Sequence, residues 1–104
     1  MSLFEENAEV LRELAARGVD LSQTRVVDYS HIFPDAVSAR KFVESCKSAG
    51  YDATDSTDET EHHDVTVSKE MTPTCENITL TEVALGKIAE RHTGRSDGWG
   101  FLGD

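Results

Sequence analysis

From Leu3 to Arg17 the apolar positions return every three or four residues. Leu3, Asn7, Val10, Leu11 and Leu14 share one side of a helix, and the acids gather in its first turns, where they suit the helix dipole. Gly18 follows Arg17 as a C-terminal cap, so a helix is predicted over about 3–17. The pattern then changes period. In residues 24–33, TRVVDYSHIF, Val27, Tyr29, His31 and Phe33 alternate with Val26, Asp28, Ser30 and Ile32. That is a strand with its bulkier set facing the core.

Pro34-Asp35 stops this strand, and Asp35 is placed to cap a second helix. Ala39, Phe42, Val43 and Cys46 form its apolar stripe, and Gly50 ends it. Residues 51–56, YDATDS, alternate but stay polar, which predicts a strand at a sheet edge or facing solvent on one side. TDETEHH reads as a turn, and DVTVSKEM as the returning strand, with Val65, Val67, Lys69 and Met71 on one side. Thr79 and Glu82 have the spacing of a capping box, with Ile78 and Val83 as a hydrophobic staple, so a third helix is expected to start there. It continues through Leu85, Ile88, Ala89 and His92 towards Gly94, leaving Cys75 in an exposed loop. The tail DGWGFLG reads as a last strand with Asp97, Trp99 and Phe101 on one face.

The order α, then β-α-β-β-α-β, predicts an α+β fold. Its form is a ferredoxin-like βαββαβ sandwich with an additional N-terminal helix, and an antiparallel four-stranded sheet with two helices on one face. One domain is expected over 1–104, with the βαββαβ core at about 24–102.

Charge narrows the function classes. Twenty acidic and ten basic residues leave a net charge of −10. Direct nucleic-acid binding is disfavoured, because it needs Lys and Arg to displace counterions from phosphates. A basic protein partner is favoured. No stretch approaches the ~18 apolar residues of a membrane span, and the acid-rich start MSLFEENAEV predicts a cytoplasmic protein.

The candidate chemistry is sparse. Gly98-Trp99-Gly100 follows a helix and precedes none, unlike a phosphate loop, and is better read as a closing strand or a partner anchor. Asp52, Asp55, Asp58, Glu59, Glu61 and Asp64 form an acidic segment without Lys or Arg, which reads as a solvated face, with a docking surface for basic chains as the functional alternative. His62, His63 and Asp64, with His31 on another strand, are the metal-ligand alternative, although neighbours on a strand diverge. Cys46 reads as a small core residue. No catalytic grouping, cofactor motif or metal set is expected. The partner-binding candidates are Asp55, Asp58, Glu59, Glu61, Asp64, Asp97 and Trp99. A self-associating domain, pairing through the polar edge strand, is the third reading.

The segments LRELAARGVDLSQ, RVVDYSHIF, GYDATD at 50–55 and DGWG at 97–100 occur in an order and spacing that resemble the RraB family, regulators of ribonuclease E activity. The likeness spans about residues 8–102. It implies a ferredoxin-like domain without catalytic activity that inhibits ribonuclease E, or a related nuclease, by protein contact. Larger members carry an acidic extension after the last strand, whereas the present sequence ends at Asp104.

Overall fold

The computed structural model describes residues 2–57 and 63–101. Three helices, α1 (Leu3–Ala16), α2 (Ala36–Ser48) and α3 (Cys75–Arg91), accompany four strands. The strands are β1 (Arg25–Phe33), β2 (Asp52–Thr57), β3 (His63–Met71) and β4 (Arg95–Phe101). The sheet order is β2-β3-β1-β4, and each neighbouring pair is antiparallel. The α+β class and the four-stranded antiparallel sheet are as expected. So is the place of the polar strand β2, which lies at a sheet edge.

Local chemistry sets the helix ends. The Ser2 hydroxyl accepts from the Glu5 amide at 3.2 Å, and the Asp35 carboxylate accepts from the Ser38 amide at 2.7 Å. Gly18 and Gly50 take the left-handed conformation after α1 and α2, at φ +93° and +91°. In each case the next amide reaches back to an orphan carbonyl, Val19 to Leu14 and Tyr51 to Cys46.

The third helix departs from expectation at both ends. Its cap is Thr74, whose hydroxyl accepts from the Asn77 amide at 3.1 Å, so Cys75 is its first residue rather than part of a loop. Thr79 and Glu82 are one turn further in. Both threonines suit a cap; the earlier start wins because it brings Ile78 onto the helix as a fully buried residue. At the other end the left-handed position falls on Thr93, at φ +63°, and not on Gly94. A β-branched residue there is strained. Replacing Thr93 with glycine is therefore expected to raise stability by about 1 kcal/mol or less, read as a higher urea midpoint.

One face of β1 makes the core. Val27, Tyr29, His31 and Phe33 are buried, joined by Val65 and Val67 of β3. Phe42 of α2 meets the rings of His31 and Phe33 at 4.9 and 4.8 Å. From α3, the Ile78 carbonyl accepts from the Tyr29 hydroxyl at 3.5 Å. Both helices thus cover the same face of the sheet. Helix α1 packs on α3.

His31 is the polar exception in this core. Its ring is 1% exposed, and Nδ1 has no hydrogen-bond partner among the described residues. Burial holds its pKa below the usual 6.5, outweighing the backbone groups of Val65 and Tyr29, which act the other way. The folded state therefore binds this proton less readily than the unfolded chain. Its contribution to stability is full above pH 6.5 and is lost as pH falls below that value. Urea unfolding at about pH 7 and about pH 5 should show the loss, and His31→Phe should flatten that slope whatever it does to absolute stability.

Candidate interaction surface

Two features stand out: a polar junction that fastens Trp99, and a sheet face that none of the described helices covers.

Trp99 sits on β4 opposite Tyr29, which turns its indole to the helix side of the sheet. There α1 meets it. The indole Nε1 donates to Asn7 Oδ1 at 3.0 Å. The Asn7 amide donates to Thr79 Oγ1 and to Glu82 Oε1, both at 3.0 Å. Asn7 is only 4% exposed, and its acceptor and both donors are engaged. An indole N–H can only donate, which fixes the orientation of the amide. One buried side chain thus joins α1, α3 and β4. The Thr79/Glu82 spacing, read above as a cap, instead puts two acceptors on one helix face for this junction. Trp99 is half-buried, and its ring lies 5.7 Å from that of Phe101. The Arg25 guanidinium stacks over Phe101 at 4.9 Å.

Asp97 does not share a face with Trp99. Tyr29 pairs with Trp99 but His31 pairs with Ser96, so Asp97 and Gly98 together stand opposite Ser30. This β-bulge puts Gly98 at φ +104° and shifts the alternation by one residue. Period-two reading of the strand had no signal for the extra residue except the glycine itself.

Among the described residues the opposite side of the sheet is open. From β1 it presents Val26, Asp28, Ser30 and Ile32. The register adds Glu70, Ser68, Thr66 and Asp64 from β3, and Asp52 and Thr54 from β2. Gly100, Arg95 and the bulge residues complete it. None of these side chains is buried. Ser68 donates to the Asp28 carboxylate at 2.6 Å, tying β3 to β1 across the face.

The sequence candidates therefore divide. Asp64 and Asp97 belong to the open face, while Trp99 belongs to the helix side. Asp55 pairs with Val65 in the backbone register. Asp58, Glu59 and Glu61 lie outside the described residues, as does His62. Asp28 and Glu70 were not among the candidates; strand register places them, with Asp52, on the same face as Asp64. His31 and His63 lie on the helix side of the sheet and Asp64 on the other. Among the described residues no three His, Cys, Asp or Glu side chains converge as metal ligands. Burial pushes the Cys46 thiol up to about 11, which keeps it protonated and inert. Among the described residues no helix is long and apolar enough to cross a membrane.

Fold and surface together define a small α+β protein with one helix-covered and one open sheet face. The chain belongs to the family described as Regulator of ribonuclease activity B, whose sequence model matches residues 4–101. No curated protein matches the chain.

Proposed function

We infer that the protein is a non-catalytic regulator of RNA degradation that acts in the cytoplasm by binding a protein. Ribonuclease E, or a related nuclease, is the partner this reading names. The observation that carries it is the family match across residues 4–101. Charge supports it: a chain of net charge −10 repels RNA and attracts a basic protein segment. Asp64 and Asp97, together with the acids Asp55, Asp58, Glu59 and Glu61 that precede Asp64 in the sequence, are the contacts proposed for that partner. Trp99 serves it indirectly, by holding α1 in place.

The direct test is a fluorogenic RNA cleavage assay with purified ribonuclease E. Added protein should slow cleavage in a dose-dependent way, and RNA incubated with the protein alone should remain intact. An unchanged cleavage rate at saturating protein would reject inhibition of this enzyme.

A further inference from the structure

We propose that the open face of the sheet is the docking surface, and that its occupant is an extended protein segment rich in Arg and Lys. This rests on the reading above that the protein acts by binding another protein, and it names the surface and the partner's chemistry.

The argument starts from how strand alternation sorts the charges. All ten Lys and Arg of the chain are among the described residues. Arg95 alone belongs to the open face. Arg25 and Lys69 lie on β1 and β3, but at positions paired on the helix side, where they meet Phe101 and Tyr51. The other seven sit on the helices or at the α1 cap. The acids of the same strands go the other way. Asp28, Asp64 and Glu70 point to the open side, joined there by Asp52 of β2 and Asp97 of the bulge. One side of the sheet is therefore nearly free of cations, although the chain as a whole carries one for every two acids.

Side-chain size fits the same occupant. Ser30, Thr54, Thr66, Ser68 and Gly100 keep the face shallow between the carboxylates. Long Arg and Lys stems can lie flat across such a floor, with their heads at the acids and hydroxyls as acceptors. Val26 and Ile32 of β1 add half-buried apolar surface for those stems. Sheet faces that read RNA stack bases on aromatic side chains. The described residues put no aromatic on this face, and the acids repel phosphate.

The test compares two variants of equal net charge. Asp52→Lys/Asp64→Lys/Glu70→Lys reverses the face, and Glu9→Lys/Glu13→Lys/Glu76→Lys reverses exposed acids on α1 and α3. Each reversal adds two charges, so both triple variants move from −10 to −4. The probe is a short fluorescein-labelled peptide of alternating Arg and Ser, followed by anisotropy at low and physiological salt. The face variant should bind roughly tenfold more weakly than wild type, and the helix variant less than about threefold more weakly. Equal weakening of the two would show attraction by net charge only and overturn the proposal. Amide chemical shifts of the wild-type protein supply a second readout that needs no variant. Titrating the peptide should move Ser30, Thr54, Thr66 and Ser68, and shifts confined to the helices would also overturn it. The nuclease assay separates the two readings. Peptide binding on this face without nuclease inhibition rejects the proposed function and supports the docking surface. Nuclease inhibition that survives reversal of the face does the reverse.

Discussion

Gly94→Ala is expected to lower stability by about 2–3 kcal/mol, the range for overpacking a filled core. Urea unfolding should show the loss as a lower midpoint with an unchanged slope. The cause is space rather than backbone freedom. A Cβ on Gly94 would overlap three carbons of the Phe33 ring, the farthest of them 2.7 Å away. That ring cannot retreat. Phe33 is 1% exposed and packs on Phe42 at a centroid distance of 4.8 Å. Gly94 also sits where α3 hands the chain to β4, with its amide bonded to the Ala89 carbonyl at 2.8 Å. Either the turn shifts or the ring does, and both disturb the core. A wild-type midpoint for the alanine variant would disprove this account of the turn.

Asn7→Leu is expected to cost about 2–3 kcal/mol, because it leaves polar partners unpaired in a half-buried junction. The Trp99 N–H, the Thr79 hydroxyl and the Glu82 carboxylate all lose a bond at once. The chain has one tryptophan, so its fluorescence reports the site directly. As α1 loosens, emission should move to longer wavelength and quenching by acrylamide should rise. Trp99→Phe removes the N–H but keeps most of the ring, and should cost less. Combining the two changes should give less than the sum of their separate costs, since they share a bond. Full additivity would mean that Asn7 and Trp99 do not act on one another.

Both predictions concern residues whose importance lies in what folding brings near them. The helix stripe of residues 3–14 placed Asn7 on the packing side beside Leu11 without revealing what it binds. Val10 of the same stripe is 43% exposed. The period of a helix identifies a side of the cylinder, whereas burial depends on how wide a strip the neighbouring helix covers. The strand β1 was fully legible, because its alternation separates four buried from four open positions over nine residues. Strand β4 was legible only as a strand. Its bulge at Asp97-Gly98 moves Asp97 to the other side, and period-two reading carries no information on an inserted residue.

Helix starts show the same division. Asp35 was readable as a cap because it follows a proline and precedes a clean apolar stripe. Thr74 and Thr79 both satisfy the local chemistry of a cap, so propensity cannot choose between them. Packing chooses, because Ile78 has to enter the core and Thr79 has to reach Asn7. The acidic candidates behaved likewise. Sequence adjacency grouped Asp52 to Asp64 along one segment, and pairing regrouped the described acids across three strands.

What the sequence determined by itself is periodic and local: the order of elements, the buried face of β1, the caps at Asp35, Gly18 and Gly50, and the excess of acid. Those follow from side-chain spacing and from backbone preferences within a few residues. Tertiary structure alone decided the start of α3, the strain at Thr93, the bulge in β4, the Asn7–Trp99 junction and the segregation of charge across the sheet. Each of these depends on which distant residues come into contact, and the energy of such contacts is set by packing rather than by neighbours in the chain.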